Sequence, residues 1–182
     1  MKEIVKLIMS LFSYHTEQLK KSSNDIPSKP DSTQIKSTGS LVKEEDGYYV
    51  WNKGENHVLT PYFSTNEFSC KCNFPDCKKQ RISKTLVVRL DLIRKEIKQP
   101  LVITSAYRCQ KHQAFLRSSG VNTVVAKQST HEQGNAVDVV PKDQKDIQGE
   151  FLKICEKQFD SIGLSHNFLH LDLRVGKRRW QY

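Results

Sequence analysis

Three short runs rich in β-branched residues constrain the fold most: LVITSAYR (Leu101–Arg108), NAVDVVP (Asn135–Pro141) and FLHLDLR (Phe168–Arg174). Each is too short for a stable helix and reads as a strand, the last by strict alternation and the second by its stop at Pro141. Between and before them the apolar period changes to that of a helix. Leu86, Val87, Leu90, Ile93 and Ile97 recur at spacings of three and four, with Ser83 placed to cap and Pro100 to stop. His112–Ser119 forms another short helix ending at Gly120, and Ile147–Gln158 puts Phe151, Leu152 and Cys155 on one face of a third. Ser64 opens an earlier helical turn, with Glu67 three residues on completing a capping box. Strands and helices are interspersed and hairpin signals are few. The pattern predicts an α+β fold, a small and mostly antiparallel sheet with flanking helices.

These elements lie after about Tyr48, and the expected folded domain spans residues 46–182. Residues 20–45 turn to Ser, Lys, Asp, Pro and Thr with few large apolar side chains, the composition of a flexible linker. In residues 1–19, Ile4, Val5, Ile8, Leu11, Phe12 and Leu19 fall on one face of an amphipathic helix, which docks on the protein's own core, on a partner or on a membrane surface. Its apolar stretch is broken by Ser10 and Ser13 and no small-x-small site follows, so a soluble chain without a clear export signal is expected. Lys and Arg outnumber Asp and Glu by 29 to 20, a formal charge of +9 that favours an anionic partner. The basic residues form only short groups, Lys78-Lys79-Gln80-Arg81 and Lys177-Arg178-Arg179, which argues for general attraction and against a nucleic-acid motif. Five cysteines are an odd number, and Cys70, Cys72 and Cys77 stand close together. A metal knuckle completed by Cys109, Cys155 or His57, a local disulfide, and plain buried thiols all remain open.

The chemistry concentrates in two of the strands. His131 precedes one, Asp138 lies inside it, and His170 lies in the last. Two imidazoles and a carboxylate, with a fourth position left to water, are the donor set of a catalytic zinc ion. Gly134 lets the loop fold back so that His131 approaches Asp138, and small Ala136 leaves room beside an ion. In an alternating strand Phe168, His170 and Asp172 face the same way, which sets Asp172 next to the water. The same residues equally suit a satisfied core histidine and a strand aspartate bonded to a nearby arginine.

The blocks ITSAYRCQKH, STHEQGNAVDV and FLHLDLR resemble the three signature blocks of the zinc D-Ala-D-Ala carboxypeptidase family, whose fold is shared with the hedgehog signalling domain. FSTNEFSCKC and the segment from Ile82 to Arg108 resemble what precedes those blocks in small bacterial and phage members, so the similarity spans Tyr62–Tyr182. The resemblance implies that His131, Asp138 and His170 bind Zn²⁺ and that Arg108 holds a substrate carbonyl or carboxylate through its guanidinium fork. Ser129 either bonds a substrate amide or caps its own loop, and Tyr107 packs beneath Arg108. Relatives carry Glu or Asp three positions before the last ligand, or a histidine two before it; this chain has Asn167 and Phe168 there. Asp172 becomes the first candidate for the general base, with an orienting role for a ligand as its alternative, and His166 and Glu132 follow.

The implied activity is a zinc metallopeptidase that cleaves peptidoglycan stem peptides next to a D-amino acid, at the bacterial envelope, as a wall hydrolase or a phage lysin or virion component. Its partners would be the wall peptide and the anionic wall. The alternative is a zinc-stabilised domain without catalysis, binding wall or serving in an assembly. The tail GKRRWQY, with Trp180 and Tyr182, closes the core or touches an anionic polymer.

Overall fold

Alternation along the chain sorts side chains to two faces of a sheet. The computed structural model describes residues 42–119, 129–143 and 147–182. Its strands are β1 (Lys43–Glu45), β2 (Tyr48–Asn52), β3 (Lys79–Ser83), β4 (Leu101–Ser105), β5 (Ala136–Pro141), β6 (Ser161–Leu164), β7 (Leu169–Asp172) and β8 (Arg178–Gln181). The helices are α1 (Thr65–Phe68), α2 (Lys84–Ile97), α3 (Gln110–Ser118) and α4 (Glu150–Glu156). One sheet has the order β1-β2-β3 and the other β4-β5-β7-β6-β8, antiparallel throughout except for the parallel pair β6 and β8. The fold is α+β and mostly antiparallel, as the pattern predicts.

Val137 and Val139 of β5, Leu169 and Leu171 of β7 and Ile162 of β6 are fully buried, and they share one core with Leu86, Val87, Leu90 and Ile93 of α2 and Phe151 and Ile154 of α4. Burying each such side chain contributes about 1.5–3 kcal/mol, so this aliphatic face fixes the sheet against the helices. The alternate residues of β5 and β7, Ala136, Asp138, His170 and Asp172, are left for the other face. Helix α1 opens at Ser64, whose backbone N and hydroxyl both donate to Glu67 Oε1 at 3.3 Å.

Several elements differ from expectation. β4 stops at Ser105, because the next residues bond elsewhere: Tyr107 N donates to the Phe68 carbonyl at 3.1 Å and Arg108 N to the His131 carbonyl at 3.2 Å. Helix α4 covers only Glu150–Glu156, with Gly149 at its start. β7 is not the last strand, since β8 follows it and pairs with β6. β1 lies inside the segment expected to be linker; its three residues are charged and exposed, and backbone pairing with β2 alone makes it a strand. The expected helix over residues 1–19, and the linker up to residue 41, lie outside the described residues. Among the described residues no helix is long and apolar enough to cross a membrane.

Candidate metal centre

Strand register assembles the site. Asp138 on β5 pairs directly with Ser105 on β4 and with His170 on β7; His170 pairs with Gly163 on β6, and Gly163 with Trp180 on β8. Directly paired residues point to the same face, so one row across five strands carries the polar groups. β4 joins this row through an irregularity between Ile103 and Ser105, where Thr104 Oγ1 donates to the Asp138 carbonyl at 3.0 Å.

His131 comes from the turn before β5. Ser129 Oγ accepts from His131 N at 3.3 Å, Glu132 Oε2 accepts from Ser129 N at 3.3 Å, and Gly134 N donates to the His131 carbonyl at 3.1 Å. Gly134 has φ +73°, and a Cβ there would stand 2.7 Å from the Arg81 carbonyl oxygen. The turn closes only with glycine at that position.

His131, Asp138 and His170 are all buried, and their functional atoms converge. His131 Nε2 lies 3.1 Å from His170 Nδ1 and 3.3 Å from Asp138 Oδ1, and His170 Nδ1 lies 2.9 Å from Asp138 Oδ1. His131 Nδ1 sits 2.7 Å from the Ala106 carbonyl, which can only accept, so this nitrogen carries the proton and Nε2 a lone pair. His170 Nε2 meets the Asp172 carboxylate at 3.1 Å, so in the neutral ring that a cation selects Nε2 carries the proton and Nδ1 the lone pair. Three acceptors then face one another. Donor atoms about 2.0–2.1 Å from a tetrahedral ion stand roughly 3.3 Å apart, so the spacing and the donor chemistry both fit a divalent cation.

The other oxygen of Asp138 is held by Arg108 Nη2 at 2.6 Å, and Arg108 Nε donates to Ser105 Oγ at 2.8 Å. Burial opposes ionisation of Asp138, but His131 and His170 outweigh it and hold the carboxyl well below its usual range. Burial also lowers His131, whereas at His170 the effect of burial is overcome by Asp138 and Asp172, which raise it.

Of the two roles open to Asp172, its placement fits the orienting one. Its side chain is fully buried; Oδ1 accepts from Arg174 N at 2.9 Å, Oδ2 accepts from Arg174 Nη2 at 2.7 Å, and it touches the His170 nitrogen that faces away from the other two donors. It therefore does not stand beside the open position of the centre. Ala136 pairs with Asp172, so its small side chain leaves room for that carboxylate. Arg108 bonds Asp138 through Nη2 and Ser105 through Nε, and the Ser129 Oγ accepts a bond within its own loop. Tyr107 packs against the cysteines. Glu132 belongs to the turn, while His166 and Asn167 are exposed between β6 and β7.

Trp180 and Tyr182 of the basic tail flank His170, with ring centroids 5.4 and 6.1 Å away. The Phe168 ring packs against Tyr182 at a tilt of 55°, with centroids 5.6 Å apart. Gly163 permits this arrangement: a Cβ there would meet Trp180 Cε2 at 2.6 Å and Tyr182 Cε2 at 2.7 Å. Burial, chiefly, pushes the Tyr182 phenol up to about 12, so it keeps its proton at neutral pH. The alternation of Trp180 and Tyr182 is visible in the sequence, but it points at His170 only once β8 is known to run parallel to β6. The Ala106 carbonyl leaves no side-chain signal at all.

No curated protein and no solved structure matches the chain. The model of one family, described as Peptidase M15, matches residues 61–172. That span is more than half of the chain and carries all three converging donors, and the chain belongs to the peptidase M15 family.

Proposed function

We propose that the protein is a zinc peptidase that hydrolyses peptidoglycan stem peptides next to a D-amino acid, acting at the bacterial envelope as a wall hydrolase or as a phage lysin or virion component. The observation that carries this reading is the convergence of His131 Nε2, Asp138 Oδ1 and His170 Nδ1 within 3.3 Å, with both outward imidazole nitrogens already bonded. A zinc ion there supplies the electrophile that polarises a scissile carbonyl and acidifies water. The chain's own residues prepare that position. Ala106 and Asp172 fix the two imidazoles in the tautomers a cation needs, and Arg108 turns one oxygen of Asp138 inward. Trp180 and Tyr182 wall one side, and Tyr182 offers a neutral hydroxyl donor. The charge of +9 favours the anionic wall as the place of action.

A second reading, a metal-stabilised domain that binds wall material without cleaving it, is favoured by one feature. Both carboxylates of the centre are committed, Asp138 to Arg108 and Asp172 to Arg174 and His170, and Asn167 offers no base. Product analysis by mass spectrometry separates the two. Purified peptidoglycan is incubated with the wild type and with His131→Ala, alongside metal analysis of both proteins. A cleavage beside a D-amino acid that vanishes in the variant supports the peptidase. Stoichiometric zinc with no product from any wall type would sink it in favour of the binding domain.

A further inference from the structure

Outside the centre, four sulfurs meet at one point. The Sγ atoms of Cys70, Cys72, Cys77 and Cys109 all lie within 4.8 Å of one another, with Cys70 and Cys72 at 3.5 Å and Cys72 and Cys109 at 3.7 Å. Sulfurs about 2.3 Å from a tetrahedral zinc ion stand roughly 3.8 Å apart, whereas a disulfide joins only two of them at about 2.05 Å. All four are free thiols. Of the three residues that could complete a cluster with Cys70, Cys72 and Cys77, the fold brings up Cys109; Cys155 lies in the aliphatic core and His57 bonds Glu55.

Each sulfur also receives a donor. Cys70 accepts from Cys109 N at 3.4 Å, Cys109 from His112 N at 3.4 Å, Cys77 from Gln80 Nε2 at 3.4 Å and Cys72 from Lys53 Nζ at 3.7 Å. Gln80 is buried and braces the loop from within, its Oε1 accepting from Cys70 N at 2.7 Å. Four acceptor sulfurs ringed by N–H and ammonium donors suit anionic thiolates around a cation better than four neutral thiols.

We propose that Cys70, Cys72, Cys77 and Cys109 bind a second zinc ion, and that this ion is structural. Four thiolates close a tetrahedral shell and leave no position for water or substrate. Binding displaces the thiol protons to solvent and no electron changes hands. The ion ties the loop after α1 to the segment after β4. In that segment the Ala106 carbonyl orients His131, Arg108 holds Asp138, and Cys109 caps α3. The four cysteines are not donors of the peptidase centre, so the cysteine site can keep its ion when the centre is emptied.

Metal analysis of the full chain, prepared under reducing conditions, tests this. Two zinc ions per wild-type chain are expected, one remaining in His131→Ala and at most one in the double variant Cys72→Ser/Cys77→Ser. Cobalt reconstitution of the wild type needs no folded variant, and thiolate-to-cobalt charge-transfer absorption that persists in His131→Ala is expected. The proposal is overturned by a wild type with a single ion lost in His131→Ala and no such absorption. It is equally overturned by iron in place of zinc, or by an unreduced mass lighter by the hydrogens lost in two disulfides.

Discussion

A single carboxylate separates an orienting role from a catalytic one here. Asp172 accepts from the outward nitrogen of His170, so replacing it with Asn should weaken metal binding by about 10–100-fold. Competition with a chelator measures this; a general base would instead leave affinity intact and lower only the rate. The carboxyl also reports on acid stability. Burial opposes its ionisation, yet His170 and Arg174 hold it well below the ordinary value. Its contribution is complete above the unfolded value of about 4 and is lost as pH falls through the lower folded one. The melting midpoint of the metal-free wild type should therefore drop on acidification below about pH 4, and the profile of Asp172→Asn should be flatter there. The donors themselves were legible through the resemblance of the surrounding blocks, which singled out His131, Asp138 and His170 where spacing alone left them ambiguous, and their donor atoms do converge. Between the two roles open to Asp172 the sequence could not choose, because alternation tells which face a residue takes but not which side of an imidazole it meets.

Among the elements, α2 was readable almost residue for residue, since its apolar period and its stop before Pro100 agree with its packing. Leu90→Ala should cost about 2–5 kcal/mol in denaturant unfolding, for Leu90 is fully buried in the core. β6 and β8 carried no such signal. Each has four residues, too few to show a period within the strand, and Trp180 alternates only with Tyr182 beyond the end of β8. Their pairing is visible only in Gly163, where two aromatic rings occupy the space of a side chain. Gly163→Ala should destabilise by about 1–3 kcal/mol and shift the fluorescence of Trp180, while ion binding at the centre persists. An unchanged emission spectrum would mean that the rings do not rest on that strand.

For the whole molecule, the sequence pointed to a folded part that begins near residue 46, and one described strand, Lys43–Glu45, lies just before that point. The difference is β1, which has backbone partners but no apolar face to reveal it. A fragment covering 40–182 should melt within a few degrees of the full chain by calorimetry. One property belongs to no single element. Asp138, His170 and the Trp180 beside them come from separate strands and meet in one cross-sheet row. Slipping any of these strands by one residue would send its member of the row to the opposite face. Ion uptake at the His131–Asp138–His170 centre during refolding is therefore a gauge of strand alignment: it cannot precede correct pairing of β5 with β7, and a chain trapped out of step leaves that centre empty however compact it has become.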